Sequence, residues 1–395
     1  MATEKQRMKV LMAGILGLLL FLGVARFAYT PLLPLMREQA GLGVAAGGWL
    51  AAANYAGYLV GALLATQISD LHLKDRLYRI GMVVAVASTV MMGLAENEVV
   101  WALSRFVAGI STAAGMLLGS GLIMNWLMRN RHRPELGIHF SGIGLSIAGC
   151  SLAVLAMQGW GDWRSQWYVF SVLGALLAVP AWRWLPVPDP APAAAGTAHM
   201  QDCPPSTAFL RLLMASYFCA GVGYVVSATF IVAIINGLPA MAGRGAWVFL
   251  VIGLAAAPAC ILWDLVARRI GQVNALILAS LLQAFGILLP VLGGGLVGAL
   301  AGAVLFGGTF AGMVSLVLAM AGRYYPTRPA KMMSKMTVAY GVAQIAAPAI
   351  TGWLATQHGS YGPGLYLAAG VMVAGAALLG LLKLLERRSP AAVAA

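Results

Sequence analysis

An all-α integral membrane fold, with twelve transmembrane helices in two six-helix halves, is predicted by three observations on this sequence. First, 61% of its 395 residues are hydrophobic and only 9% are charged, whereas roughly 25% of the residues in an ordinary soluble domain are charged. Second, the apolar residues fall in long runs separated by short polar loops. Third, short groups of residues in the first half recur in the second half at a nearly constant offset. The mean hydropathy of +0.85 excludes a water-soluble fold.

Twelve apolar stretches are long enough to cross a bilayer, which takes about 20 mostly apolar residues. The first stretch is too long for the core of a cleaved signal peptide, so we expect it to remain as a span. The predicted spans are residues 10–35, 48–69, 77–95, 99–126, 134–157, 165–185, 208–235, 244–267, 272–292, 295–322, 333–356 and 363–385.

A proline-rich stretch between the sixth and seventh spans predicts a linker between two bundles. We therefore predict an N-terminal six-helix bundle (residues 1–186), a cytoplasmic linker (187–207), a C-terminal six-helix bundle (208–386) and a cytoplasmic tail (387–395).

Basic residues predict the orientation, because loops that stay in the cytoplasm keep an excess of Lys and Arg. With the N-terminus inside, only Arg37, Arg164 and Arg244 of the 25 Lys and Arg fall in outer loops. An even number of spans returns the C-terminus to the same side. We therefore predict a multi-pass protein of the cell inner membrane with both termini cytoplasmic. The net charge of +13 does not indicate a nucleic-acid partner, because the basic residues are divided among loops instead of gathered on one face.

An internal repeat is indicated by marks that share an offset of about 198 residues, as in Trp49 and Trp247 (247 − 49 = 198). Transporters are commonly built from such repeats. The other matching pairs are Gly23-Val24 with Gly221-Val222, residues 112–116 with residues 309–313, and Trp167-Tyr168 with Leu365-Tyr366. A duplicated six-helix unit accounts for all four pairs.

Three short patterns resemble those of the major facilitator superfamily. An Asp followed by basic residues comes after the second and eighth spans, and the fourth span has Arg105 with Gly109 four residues later. The stretch Gly23–Pro34, with sequence GVARFAYTPLLP, is similar to the YbfB/YjiJ-type branch. The resemblance covers nearly the whole chain and implies the major facilitator fold and alternating-access transport. It implies no particular substrate.

Two arginines lie inside predicted spans, where an ionisable side chain costs at least roughly 2.5 to 3.5 kcal/mol. Arg26 lies roughly 15 Å and Arg105 roughly 9 Å from the outer ends of their spans, at 1.5 Å per residue. No acidic residue lies in the membrane beside them by this assignment, so the pair is predicted to bind an anion through paired hydrogen bonds. The alternative is that Arg26 extends to the interface and that Arg105 donates to backbone carbonyls at a helix bend.

Further substrate-binding candidates recur at helical spacing around these arginines. Tyr224 matches Arg26 at the repeat offset, and Tyr340 and Gln344 share one face of the eleventh span. The alternative is that the tyrosines belong to interfacial belts and that the amides join helices. The remaining candidates are Tyr29, Thr30, Asn54, Tyr58 and Thr112.

The charged loops after the second and eighth spans are predicted to gate the cytoplasmic side, since a carboxylate and a basic group can pair in one state and separate in the other. The alternative is that these basic residues only set the topology. The predicted gating residues are Asp70, Lys74, Asp264, Arg268 and Arg269.

His139, in the fifth span, is the candidate for proton coupling because histidine titrates near physiological pH. A structural role close to the cytoplasmic headgroups is the alternative.

Together these patterns predict a secondary active transporter that moves a small organic solute, anionic and proton-coupled, by alternating access. One alternative is a proton-driven multidrug exporter, and another is a membrane receptor or scaffold that does not transport. Neither a Walker sequence nor a recognisable catalytic set is present, and the four cysteines lack metal-ligand spacing. We therefore expect no cofactor, no metal and no enzymatic activity. The expected partners are a small-molecule substrate and the lipid bilayer, and we expect a monomer.

Overall fold

The computed structural model describes residues 3–130, 132, 136–189, 203–292, 295–325 and 330–388, without the side chains of residues 240, 322, 330, 331 and 386–388. Within these ranges the fold is helical, and no described residue lies in a strand. The long helices are α1 (Glu4–Gln39), α2 (Val44–Gln67), α3 (Leu71–Leu94), α4 (Glu98–Arg129), α5 (Leu136–Ala156), α6 (Trp163–Trp184), α7 (Thr207–Asn236), α8 (Gly245–Ala256 and Ala259–Ile270), α9 (Gln272–Leu288), α10 (Gly295–Tyr324), α11 (Ala330–His358) and α12 (Gly362–Arg388).

Each predicted span has a helix at its position, but the helices are not equally long. Ten helices in the described part of the chain are long and apolar enough to cross a membrane, and α8 makes an eleventh if its two pieces count as one span. The pieces of α8 meet at an angle of 47°. The bend lies at Pro258, which has no amide N–H to continue the helix. Helix α9 has 17 residues, or roughly 25 Å, less than the roughly 30 Å of a bilayer core.

The predicted linker and tail lie largely outside the described residues. Residues 190–202 and 389–395 are not described, so the division into bundles at 186 and 208 stays a prediction.

Helix α1 is irregular where Arg26 lies. Residues Leu19–Phe27 form a π-helix, whose wider turn is closed by a hydrogen bond from the Ala28 amide to the Gly23 carbonyl of 2.8 Å. Pro31 and Pro34 follow and contribute no amide donors. Wide turns of this kind are frequent at functional sites. The irregular segment leaves backbone carbonyls near Arg26 available to side chains from other helices.

Helices α2 and α4 approach each other closely because glycines line their contact. A Cβ added at Gly57 would collide with the carbonyl oxygen of Phe106, and a Cβ at Gly109 would collide with that of Asn54. Such small residues are the usual means of close helix packing in membranes, where apolar burial does not by itself favour helix contact. The contact fixes α4, and with it Arg105, against α2.

Three hydrogen bonds join residues before 186 to residues after 207 in the described ranges. Thr30 Oγ1 donates to the Ala228 carbonyl at 2.7 Å. These residues are 198 positions apart, the predicted repeat offset, and equivalent residues of two repeats meet only near the axis that relates them. Further towards the predicted outer surface, Arg37 Nη1 donates to Tyr361 Oη at 3.3 Å, and Gln158 Nε2 donates to the Gly243 carbonyl at 3.5 Å. The hydrogen bonds between the halves therefore lie towards the predicted outer end.

Candidate substrate-binding site

Arg26 is buried in the irregular part of α1, with 6% of its surface exposed. Its guanidinium carbon lies 4.3 Å from the centre of the Tyr55 ring and 5.1 Å from that of Tyr58, both on α2. These are cation–π distances. Its Nε atom is buried without a hydrogen-bond partner, and the group forms no ion pair with any described carboxylate. Arg26 is thus a desolvated cation with unused hydrogen-bonding capacity.

Arg105 is also buried, at 3% exposure, but its guanidinium has direct partners. Nη1 donates to the Ala25 carbonyl at 3.0 Å and Nη2 to the Arg26 carbonyl at 3.3 Å. The Tyr29 ring covers the same group at 4.6 Å. Arg105 therefore has the contacts expected from the second interpretation of the sequence, in which it donates to backbone carbonyls at a helix bend. Its position holds the turn that carries Arg26.

Several predicted site residues join helices to one another. Asn54 Nδ2 donates to the Arg105 carbonyl at 2.9 Å, and Thr112 Oγ1 reaches the Phe21 carbonyl at 2.9 Å. Tyr29 Oη donates to the Gly47 carbonyl at 2.8 Å, and Thr30 makes the contact with Ala228 described above. These four side chains are buried. They match the helix-joining alternative, whereas Tyr58 lies beside Arg26 itself.

The second half contributes Tyr224, Tyr340 and Gln344 to the same region. Tyr224 and Tyr340 lie near enough to Arg26 to interact electrostatically with its charge, and α7 contacts α1 through the Thr30–Ala228 hydrogen bond. Their rings lie 6.0 Å apart and 29° from parallel. Gln344 is 2% exposed, and its Oε1 has no hydrogen-bond partner. The structure thus brings Arg26, Tyr58, Tyr224 and Tyr340 together.

Sequence reasoning missed several aromatic residues of this region. Tyr55 is the ring closest to Arg26 and also interacts with Tyr224. Because Tyr55 and Tyr58 are three residues apart, they share a helix face, and this spacing was the signal available in the sequence. Tyr217 packs on Tyr340 with ring centres 4.6 Å apart. Phe306 and Phe310, four residues apart on α10, pack on Tyr224.

The predicted gating residues lie at the end opposite the hydrogen bonds between the halves. Asp70 caps α3 by accepting a hydrogen bond of 2.6 Å from the Leu73 amide, and Lys74 lies in the first turn of that helix. On α8, Asp264 pairs with Arg268 at 2.7 Å, with both side chains exposed, and Arg269 follows. The gating role of all five residues remains a prediction.

A partly buried ion pair that the sequence analysis did not single out lies nearby on α3. Arg79 Nε donates to Asp75 Oδ2 at 2.9 Å, with side-chain exposures of 14% and 10%. Arg79 also donates to the carbonyls of Trp182 and Leu185, at 2.8 and 3.1 Å. The spacing of four residues was the available signal, but the predicted start of the third span at residue 77 left Asp75 outside it. This pair ties α3 to the end of α6.

His139 on α5 is 1% exposed. Its Nε2 shares a hydrogen bond of 2.9 Å with Ser120 Oγ, while Nδ1 is buried without a partner. A Cβ added at Gly14 on α1 would lie 2.5 Å from that Nδ1, so this glycine makes room for the histidine. The proton-coupling role remains a prediction. Among the described residues, no group of three or more His, Cys, Asp or Glu side chains is placed to hold a metal ion.

Comparison with known proteins agrees with this architecture. Residues 18–380 match the family model described as "Uncharacterised MFS-type transporter YbfB", where MFS is the major facilitator superfamily. The uncharacterized MFS-type transporter YceJ of Bacillus subtilis is 33% identical over 92 residues, which are 23% of this chain and 24% of YceJ. The putative uncharacterized transporter YgaY of Escherichia coli K12 is 24% identical over 156 residues, 40% of this chain and 39% of YgaY. The chain thus aligns with well under half the length of these curated relatives.

Among solved structures, the nucleoside transporter NupG superposes with a TM-score of 0.71 at 14% identity, covering 96% of this chain and 99% of NupG. A point mutant of NupG gives a TM-score of 0.69 at 12% identity, covering 95% of this chain and 99% of that protein. At such low identity the likeness concerns the fold alone. The match over residues 18–380 establishes that the chain belongs to the family of MFS-type transporters represented by YbfB, multi-pass membrane proteins with the major facilitator fold.

Proposed function

We propose that this transporter moves a small organic anion by alternating access, with Arg26 as the group that binds the negative charge. The observation that carries the proposal is that the Arg26 guanidinium is buried among aromatic rings, without a carboxylate, and with Nε unpartnered. A buried charge without a counter-ion is costly. A bound carboxylate would remove that cost and form charge-assisted hydrogen bonds.

Alternating access is proposed to come from rocking of residues 1–186 against residues 208–386 about this central region. The hydrogen bonds of Thr30 and Arg37 to the opposite half support a state in which the outer end is held closed. At the other end, Asp264 pairs within its own helix. In this proposal the Asp264 carboxylate exchanges Arg268 for a partner in the other half when the cytoplasmic end closes. The direction of net transport depends on the gradient that drives the transporter and not on the contacts at its two ends.

Proton coupling is proposed to involve His139, whose Nδ1 is a buried group without a partner. Replacement of His139 by Gln removes the titrating group and retains a hydrogen-bonding side chain. If coupling depends on His139, the variant should transport down a substrate gradient but fail to accumulate substrate with a pH gradient in liposomes. Accumulation equal to that of the unmodified protein would exclude this role.

The protein is further proposed to be a monomer of the cell inner membrane with both termini cytoplasmic. Cys203 is exposed whereas the other three cysteines are buried, so it is a natural reporter of orientation. A membrane-impermeant thiol reagent should fail to label Cys203 in intact cells and should label it in inverted vesicles. Strong labelling in intact cells would reverse the orientation.

The multidrug exporter is the second candidate because the site is rich in aromatic rings. A site for cationic drugs normally needs a carboxylate. Of the described acidic residues, the one with a buried side chain is Asp75, which is already paired with Arg79. The observed charge therefore favours an anion.

The test combines binding and uptake. Purified protein is screened by thermal shift against organic acids, amino acids and amphipathic cationic drugs, because a ligand of the folded state raises apparent stability. The affinity of each acid that binds is then measured for the Arg26→Ala variant. Arg164→Ala is the control, because Arg164 lies in a predicted outer loop, away from the site, and pairs with Glu96 at 2.5 Å. Binding of an acid that is lost in Arg26→Ala but kept in the control supports the proposal. Binding of cations alone would contradict it, and binding without uptake into liposomes would indicate a receptor.

A further inference from the structure

Five aromatic rings of the second half form one near-parallel group, which we call the aromatic wall. Neighbouring rings are inclined to one another by only 8 to 34°, with centres 4.6 to 6.5 Å apart. These centre-to-centre distances are those of favourable aromatic pairs. The wall consists of Tyr217 and Tyr224 on α7, Phe306 and Phe310 on α10, and Tyr340 on α11.

Two rings of the aromatic wall lie near the buried cation. Tyr224 and Tyr340 interact electrostatically with Arg26, and Tyr55 and Tyr58 lie on the α2 side of the same guanidinium. Tyr58 and Tyr340 are only half-buried, so part of each remains accessible. An anion held at Arg26 would therefore lie between aromatic rings from the two halves.

The hydroxyl groups of the tyrosines argue against a purely structural cluster. A buried tyrosine hydroxyl usually finds a hydrogen-bond partner. The buried Tyr29 follows this rule by donating to Gly47, whereas the hydroxyls of the half-buried Tyr58 and Tyr340 donate to no described residue and can bind a ligand or water. Ser227 Oγ, one turn beyond Tyr224, and Gln344 Oε1, one turn beyond Tyr340, are also buried and unpartnered. The region thus combines flat apolar faces with unused polar groups at their edges.

We infer that the anion is an aromatic carboxylate, whose flat ring packs on Tyr224 and Tyr340 while its carboxylate binds Arg26. This inference rests on the proposed function and narrows its substrate class. A ring contact of this kind contributes a factor of roughly 2 to 12 in affinity beyond the burial of area. A saturated ring of the same size gains the burial but loses the contact between π systems. Two ring contacts should therefore favour the aromatic acid by about 5-fold or more.

The experiment compares three probes of matched size on the purified full chain by calorimetry: benzoate, cyclohexanecarboxylate and benzamide. Benzoate is expected to bind at least about 5-fold more tightly than cyclohexanecarboxylate, and benzamide more weakly than both because it lacks the charge. The preference for benzoate should shrink towards unity in Tyr224→Leu and Tyr340→Leu and persist in Tyr224→Phe, which keeps the ring. Tyr366→Leu, at an exposed position on α12, is the control that should retain the preference.

The outcomes separate this inference from the proposed function. Equal affinity of the two acids, with both lost in Arg26→Ala, would overturn the aromatic requirement and leave anion binding intact. Binding of benzamide as tight as that of benzoate would overturn both. If none of benzoate, 4-hydroxybenzoate and 2-naphthoate binds the folded protein, the inference is overturned. The folding of each variant is checked by gel filtration and circular dichroism.

Discussion

The two arginines buried in the membrane differ in how their surroundings satisfy them. The Arg105 guanidinium donates to two carbonyls of α1 and is covered by Tyr29. The Arg26 guanidinium has tyrosine rings around it, and no hydrogen bond to a carbonyl and no ion pair with a described residue is found for it. The Nε atoms of both arginines are buried without a partner, so the difference lies in the outer nitrogens of the two groups. Both side chains are buried, so burial of a charge alone does not distinguish them. Arg105, bound to two backbone carbonyls, holds the fold, whereas Arg26, which lacks such acceptors, is the better candidate for ligand binding.

The largest expected effect is on stability. Arg105→Ala removes two charge-assisted hydrogen bonds and leaves the Ala25 and Arg26 carbonyls without that donor, so we expect it to lower the free energy of unfolding by about 2 to 4 kcal/mol. Arg26→Ala removes a buried charge that lacks a counter-ion, so we expect the stability without ligand to stay within about 1 kcal/mol or to rise. Unfolding in detergent measures both. A larger loss for Arg26→Ala than for Arg105→Ala would reverse the comparison.

The second expected effect is on ligand affinity, measured with whichever acid binds. Arg26→Lys keeps the charge but loses the planar fork that forms paired hydrogen bonds. Loss of one charge-assisted bond costs about 1.5 to 3 kcal/mol, so affinity should fall roughly 10- to 150-fold. Arg105→Lys should change affinity only a few-fold, because Arg105 acts through the backbone of α1. Full retention of affinity in Arg26→Lys would reduce the role of Arg26 to a simple electrostatic one.

Much of this comparison could be predicted from the sequence, because hydropathy and spacing report which residues enter the membrane. The apolar runs predicted the helices and the burial of Arg26 and Arg105. The sequence offered backbone carbonyls at a helix bend as the alternative partners of Arg105, but it did not identify them as those of Ala25 and Arg26, because these lie in the π-helix of α1 and hydropathy does not encode a wide turn. Asn54 was grouped with Tyr58 by spacing, but the close contact of α2 with α4 directs its amide to the Arg105 carbonyl.

Longer-range packing explains the remaining differences. The aromatic wall unites rings from α7, α10 and α11 that are far apart in the chain, so no local spacing groups them. Helix α9 is shorter than the predicted span of residues 272–292, because the helix ends at Leu288 just before Pro290. Pro290 has no amide N–H to donate to the carbonyl four residues earlier, so the regular hydrogen-bond pattern of the helix stops there.

The comparison of satisfied and unsatisfied groups extends to the cytoplasmic end. Asp75 holds Arg79 where the latter donates to carbonyls at the end of α6. Asp75→Asn should therefore lower the free energy of unfolding by about 1 to 2 kcal/mol, since a partly buried arginine loses its counter-ion. Glu96→Gln, which weakens an exposed pair with Arg164, is the control and should change stability by less than about 0.5 kcal/mol. Equal effects of the two variants would show that the α3–α6 contact does not depend on this charge.

The smallest equilibrium effect is expected for Asp264, whose pair with Arg268 lies on one exposed helix surface. An exposed pair four residues apart contributes about 0.3 to 0.5 kcal/mol. Asp264→Asn should therefore lower the free energy of unfolding by no more than about that amount, and it should change the ligand affinity by no more than about 2- to 3-fold. If Asp264 gates the cytoplasmic end, the same variant should slow uptake into liposomes, because the change acts on interconversion of the two states and not on binding. Measurement of affinity by calorimetry and of uptake on the same preparation separates these quantities. Loss of ligand binding would place Asp264 in the substrate site. Unchanged uptake would reject a gating role for Asp264 and would favour the alternative in which Arg268 and Arg269 only set the topology.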